Sequence, residues 1–581
     1  MNTCLRGHIE IGGAMGAAAT VEVKGRPFEP PGKGPWELES THGCRPMTRV
    51  TQIAFLGGFA RGFGEGTARY GVLLDHLEPA FVQSFLYVQP MAVGAPAGAM
   101  GPPPKPVLQV LSRLHPAMRR RHRAAAAAME EKLWRRDLET WDRVDKPAAV
   151  AAHRAIQDVD VAGLSDAELA DHVDRCAEHT TQSTYLHHKY TVTACLPVGD
   201  FLAGATAWTG ATVGELMVLL CGRSEISRGF AATELDAAAK KIAASEQARS
   251  LLARSEAPAG VLEELAAHPE VGVEVSAYLE AVRWRSVGYD VGDQVAGELP
   301  EVLVESLRTA LAGSRASSPD DDGALAVLRD RVPAAHREDF DDRLAEVRLL
   351  YRIRDERGVY SDGWATGLAR RALLEAGRRL VAVGRLDVAE HAVELDPTEA
   401  RALLLGGGGP DAAEVADRFE WRTTTSTSDA PQFLRALPAP PPPSAWLPAR
   451  ARRTGEAMNV FLGALFDVPD VPNSATVVSG LSVNEGVYEG TARLVDGAAD
   501  FDRIKQGDVL VTRMTSPYFN VVLPMLGAIV TDRGGQLCHA AIVAREYGIP
   551  GIVGTRDATR TIPDGARVRV DGTTGEVRLL E

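Results

Sequence analysis

The chain has 581 residues, 45% of them hydrophobic and 24% charged, and its 77 acidic against 63 basic side chains leave a formal charge of -14. This composition is that of a globular protein with several cores, and its acidic balance argues against nucleic-acid or membrane binding as a principal role. No apolar run reaches the roughly 18–20 residues that span a bilayer. His8 and Glu10, just before the weakly apolar stretch Ile11–Thr20, argue against a signal peptide. Six cysteines (Cys4, Cys44, Cys176, Cys195, Cys221, Cys538) are scattered without a CxxC pair, as in a reduced, cytoplasmic protein without a disulfide framework or zinc site.

From about Pro35 to Arg435 the chain reads mainly as helix. Arg119–Val144 carries the run Ala124–Ala128, then Met129, Leu133, Trp134 and Leu138 at helical spacing. Leu164–Leu220, Ala237–Ala267 and Leu344–Val383 have the same alanine-rich, charge-studded character, which favours helix because alanine loses no side-chain entropy there. Breaks fall at Ala95–Pro106 and at the acidic loop Ser317–Gly323, and Gly406–Gly409 reads as a loop. The clearest boundary is Leu437–Pro448 with its run Pro440–Pro443, an extended spacer that cannot donate to helix or sheet.

Beyond Pro472 the pattern changes to short apolar strands between glycine turns. They are Gly486–Val495, Val509–Thr512, Ala528–Thr531, Gly551–Val553, Val568–Val570 and Glu576–Leu580, with one helix at His539–Tyr547. The expected architecture is therefore multidomain: a mainly α region (1–436), a proline-rich linker region (437–473), and a small β/β/α domain (474–581).

Chemistry concentrates in Thr531–Gly554. A strand runs into a turn with Gly534 and Gly535, and a helix opens near His539. Paired glycines let the backbone approach a bulky ligand, and a helix N-terminus offers unpaired N–H donors suited to phosphate. A neutral imidazole placed there is able to attack phosphorus. A lone histidine at a helix start is more often a cap or a polar surface residue, so spacing alone does not decide its role.

The stretch resembles the phosphohistidine signature of the dikinase and PEP-utilising enzymes, Gly-Gly-x-Thr-x-His-Ala-Ala-(Ile/Val)-(Ile/Val)-Ala-Arg. Gly534, Gly535, His539, Ala540, Ala541, Ile542, Val543, Ala544 and Arg545 match, as does the continuation Glu546–Pro550. Leu537 replaces the usual threonine, so phosphorylation of a threonine at that position is not available. The resemblance implies that residues 474–581 form a swivelling domain, that His539 is transiently phosphorylated, and that Gly534, Gly535 and Arg545 form its phosphate loop. Thr515-Ser516-Pro517 and Gly490–Val495 also fit this domain.

The order of a helical region before such a domain resembles the acceptor and histidine parts of rifampicin phosphotransferase and the equivalent subunit of phenylphosphate synthase. Weaker echoes are Trp36–His42 with Arg45–Thr48, Gly199–Leu202 and Arg370–Glu375. The helical region offers no ATP-grasp pattern, and eight strand–helix units of a barrel are not visible. The resemblance therefore implies a separate ATP-grasp partner that binds ATP with Mg2+, a small phenol- or alcohol-type hydroxyl acceptor, and no metal site on this chain.

Transfer to a hydroxyl needs a base near the acceptor and donors around the phosphoryl oxygens. Candidates are His42, His187, His188 and Arg354, the last in the run Arg352, Arg354, Asp355 and Arg357. Neighbouring helical residues face about 100° apart, so His187 and His188 are not expected to point into one site. Trp208, Tyr360 and Trp364 are candidate ring contacts, with core packing as their ordinary role. The competing reading is a phosphocarrier or regulatory protein whose phosphorylated His539 serves another protein, with the helical region as a docking surface.

Overall fold

The computed structural model describes residues 21–580 except 42, 44, 97, 223–230, 255, 314–320, 436, 438, 467–472, 517–518 and 520–521. His42, the candidate base in the N-terminal segment, lies outside the described residues, as do most of the acidic loop and all but Asn473 of the last linker stretch.

The N-terminal region is mainly α, as expected. Its central pair is Asp166–Lys189 and Thr191–Thr209. The first opens with a capping box in which the Ser165 hydroxyl accepts from Glu168 N–H and the Glu168 carboxylate accepts from Ser165. It packs against Asp362–Ala382 through Leu169, Val173, Ala372, Leu373 and Ala376. Helices between Ala232 and Leu311 form a second lobe, anchored to the first where Ser286 N–H bonds Gly363 O at 3.0 Å and Arg370 pairs with Glu298 at 2.8 Å.

Strand also occurs here. Leu74–Val82 and Phe85–Ala92 form an antiparallel hairpin within a four-stranded sheet completed by Trp36–Leu38 and Phe433–Leu434. Its turn residues Gln83 and Ser84 both have positive φ (49° and 65°). That is the backbone of the tight hairpin turns usually signalled by Asn-Gly, so this sequence hides it.

The C-terminal domain is one eight-stranded sheet. Val487–Val495, Asp508–Thr512, Leu526–Thr531 and Gly551–Val553 run parallel, and Leu481–Asn484 closes that edge antiparallel. On the other side Arg567–Asp571, Glu576–Leu579 and Val477–Ser479 continue the sheet antiparallel. The helix runs His539–Tyr547, the span read from sequence. The edge strands Val477–Ser479 and Leu481–Asn484 were not in that reading.

The linker expectation needs correction. Residues 449–466 are a helix, and its Ala451, Thr454, Ala457 and Phe461 are buried at helical spacing. This helix packs along Thr191–Thr209 and Pro116–Glu130. Gly199 permits the contact, because a Cβ there would collide with the Ala457 carbonyl. Arg453 then forks onto Asp200, with Nε–Oδ1 2.7 Å and Nη2–Oδ2 2.6 Å. The helical body thus extends through Phe466, and the proline run lies inside it; the prolines outweighed the helical spacing that follows them. Gly199–Leu202 is the joint that seats this last helix.

The histidine domain is docked on the body. The helix Pro300–Leu311 lies against the turns Ala498–Arg503 and Leu523–Met525, and one apolar cluster runs from Val302 and Leu307 to Phe501, Val522 and Met525. Gly199→Val should therefore lower stability by about 3 kcal/mol or more through overpacking. Calorimetric unfolding should register a lower Tm, and an unchanged Tm would refute this account of the helix contact.

Candidate functional site

His539 is the first residue of its helix, behind Cys538 at the N-cap. Its Nδ1 lies 3.0 Å from Thr515 Oγ1. Burial, opposed by Asp355 and reinforced by Arg354, holds its pKa down to about 3. The ring is therefore neutral at ordinary pH, with Nδ1 engaged by Thr515.

The turn before it is built by glycine. Gly534 has φ +109°, and a Cβ there would lie 2.6 Å from Cys538 Sγ. Gly535 donates its N–H to Leu465 O at 2.9 Å, and Leu537 donates to Ala464 O at 3.1 Å. Both acceptors are last-turn carbonyls of the helix Ala449–Phe466. A Cβ on Gly535 would lie 2.5 Å from Ala464 O, so close approach to that helix end requires glycine. The Leu537 side chain is buried in a cluster with Phe461, Leu465, Leu344 and Tyr351.

Arg545 is 2% exposed, and its guanidinium turns back on the same loop, donating to Gln536 O at 2.8 Å and to Gln536 Oε1. Gln536 Nε2 in turn donates to Ser482 O at 2.8 Å. In this arrangement Arg545 braces the turn that presents His539.

From the body, Arg354 reaches this turn. Its Nη1 donates to Leu537 O at 3.4 Å, while Nε and Nη2 hold Asp355 Oδ1 at 3.1 and 2.7 Å. Asp355 raises the Arg354 pKa above its ordinary value against the burial that lowers it. Arg357, one turn on, donates to His187 O and Thr191 Oγ1 at 3.0 and 3.1 Å. His187 Nδ1 lies 2.8 Å from Asp362 Oδ2. The His188 ring meets Phe59 edge-on at 4.4 Å and lies 4.6 Å from the His187 ring, so the two histidines are buried side by side.

Tyr289 is also within electrostatic reach of this group. Burial pushes its phenol up, with Asp362 adding to the effect and Arg357, Glu39 and Arg354 also within electrostatic reach. The segment at Glu39–Thr41 meets the histidine domain through Arg533, whose Nη1 donates to Ser40 Oγ. Glu39, Tyr289, Asp362 and the role of Thr515 were missed by sequence reasoning. The Asp362 contact with His187 and the Thr515 contact with His539 join residues far apart in the chain, which no local motif marks.

Other candidates sit elsewhere. Trp364 stacks on His153 at 4.8 Å beneath Arg285, Trp208 stacks on His336 at 5.1 Å, and Tyr360 lies under Lys146. Arg370 and Arg371 brace the body through Glu298 and the Ile156 and Gln157 carbonyls. Among the described residues no group of three or more His, Cys, Asp or Glu is placed to hold a metal ion, and no helix is long and apolar enough to cross a membrane.

The depressed His539 pKa has a signed consequence. Unfolded histidine titrates near 6.5, so below that pH the unfolded chain takes up a proton that the folded site refuses down to about 3. This contribution penalises the fold as pH falls from about 6.5 toward 3 and vanishes above that window. Wild type should therefore lose Tm relative to His539→Gln between pH 7 and pH 5; parallel Tm curves would contradict the geometry.

The chain is similar to known phosphotransferases and related enzymes. Residues 504–575 match the PEP-utilising enzyme mobile domain. A rifampicin phosphotransferase from Streptomyces sp is 31% identical over 340 residues, which is 55% of this chain and 36% of that protein. A phosphotransferase of Bacillus subtilis is 30% identical over 244 residues, 42% of this chain and 27% of the relative. A probable phosphoenolpyruvate synthase of Pyrococcus abyssi is 42% identical over 111 residues, covering 19% and 14%. The chain thus spans little more than a third, or less, of the length of these relatives. With the signature turn and the histidine helix both inside the matched stretch, the C-terminal part of the chain is a PEP-utilising enzyme mobile domain that carries His539.

Proposed function

We propose that this chain is the carrier-and-acceptor component of a phosphotransferase. In this reading His539 Nε2 takes a phosphoryl group from ATP held with Mg2+ on an ATP-grasp partner. It then delivers the group to the hydroxyl of a small phenol- or alcohol-type molecule at the helical body. The observation that carries the reading is the docking of the His539 turn on the body, where Arg354 donates to the Leu537 carbonyl and Arg354 and Asp355 lie within electrostatic reach of a neutral, Nδ1-anchored His539.

The chemistry follows from these groups. Neutral His539 keeps its proton on Nδ1, donated to Thr515, and its Nε2 lone pair forms an N–P bond to the β-phosphorus of ATP as the P–O bond to AMP breaks; water then releases the outer phosphate as inorganic phosphate and leaves one phosphoryl on Nε2. On the body the acceptor oxygen attacks phosphorus and the N–P bond breaks, returning the electron pair to Nε2. The acceptor's proton passes to a carboxylate or imidazole of the facing set, with Asp355 and the His187–Asp362 pair nearest in kind. Arg354 supplies a planar donor fork suited to phosphoryl oxygens, and its positive charge offsets what accumulates there in transfer.

Two outcomes test this. Incubation with an ATP-grasp partner and labelled ATP should place acid-labile, base-stable label on the chain, and His539→Ala should abolish it; label persisting in the variant would refute His539 as carrier. The chain alone should take no label. Arg354→Lys keeps the charge but loses the fork. It should slow discharge of phosphorylated His539 to the acceptor by about 10²-fold while leaving charging by the partner within a few-fold. Equal loss in both half-reactions would assign Arg354 to the fold rather than to transfer.

A further inference from the structure

A carrier that serves two stations needs something that holds it at one of them, and the contact between the histidine turn and the end of the helix Ala449–Phe466 has the required form. We infer that this helix end is a latch for the acceptor-facing position, engaged by Gly535 and Leu537. The inference rests on the reading that the histidine domain moves between two sites, but not on which acceptor it serves.

Three observations converge. First, the Gly535 and Leu537 N–H groups, backbone donors of the turn just before His539, are donated here to Leu465 O and Ala464 O. The latch therefore occupies donors that become free when the domain leaves. Second, Gly535 is spaced for the carbonyls: a Cβ would stand 2.5 Å from Ala464 O and 3.0 Å from Leu465 O. Third, Leu537 replaces the threonine of the usual pattern, and its side chain is 4% exposed, in the apolar cluster that contains Phe461 and Leu465. A threonine there would bury a hydroxyl and fill less of the space. Arg354 adds a bond to the Leu537 carbonyl, so the same residue is held through its N–H, its C=O and its side chain.

The latch helix is also the element that leads toward the histidine domain.

The test reads docking at a distant point. Gly222 N–H, on the body, donates to both carboxylate oxygens of Glu546 at 3.0 and 2.9 Å, across the domain boundary. Amide hydrogen exchange, resolved to single residues in the full chain, should therefore find Gly222 protected in wild type. Leu537→Thr and Gly535→Ala should each raise Gly222 exchange by at least 10-fold. The strand Leu526–Thr531 inside the histidine domain should keep its protection. Unchanged Gly222 exchange in Leu537→Thr would overturn the latch, as would loss of protection in Leu526–Thr531 together with Gly222, since that pattern means unfolding rather than release. Failure of His539 to take label leaves this readout untouched, so the two readings fail separately.

Discussion

The carbonyls that end a helix have no donor within it, and everything at this site depends on how one such deficit is met. Ala464 and Leu465, in the last turn of the final body helix, take their hydrogens from Leu537 and Gly535. That pairing brings the signature turn against the body, buries Leu537, sets Arg354 beside His539 and strips water from the imidazole. The lowered basicity of His539 thus goes with its burial at this contact.

Electrostatics in the body follows a matching rule: buried charge is tolerated only in company. Arg422 pairs with Glu394 at 2.5 Å with both side chains about 5% exposed or less, and Arg370 bridges Glu298 and Glu390 at 2.8 Å each. Asp200 holds Arg343 and Arg453 together. These pairs cost desolvation and give little net stability, but they fix which helix faces which. At the site the Arg354–Asp355 pair differs in one respect: it faces a group whose charge changes during the proposed cycle. A pair that is neutral overall before phosphorylation has a reason to reorganise afterwards.

Legibility in the sequence tracked the range over which each feature is specified. His539, its two glycines and its helix bounds lie within about 15 consecutive residues, and the parallel strands are short apolar runs between glycines, so both were readable. The Gln83–Ser84 hairpin was not, because its left-handed turn uses neither glycine nor asparagine. The helix Ala449–Phe466 was obscured by the prolines before it, although Ala451, Thr454, Ala457 and Phe461 already carried the period. Tyr289, Glu39 and Asp362 were beyond reach in principle. Each is an ordinary residue in its own segment and acquires meaning only when segments far apart in the chain meet, as where Asp362 meets His187 and Tyr289 comes within electrostatic reach of Asp362 and Glu39. Arg545 shows the opposite limit: its place in the signature was readable, whereas its engagement with Gln536 needed coordinates.

The strand Val487–Val495 deserves a mechanical reading. Its first half, Val487–Thr491, pairs antiparallel with Arg567–Asp571, and its second half, Ala492–Val495, pairs parallel with Val509–Thr512. One continuous backbone therefore belongs to both wings of the sheet and works as a spar between them. Torque applied to either wing is carried to the other through covalent bonds rather than through side-chain friction. In the proposed cycle, a domain built on such a spar would move as one stiff body.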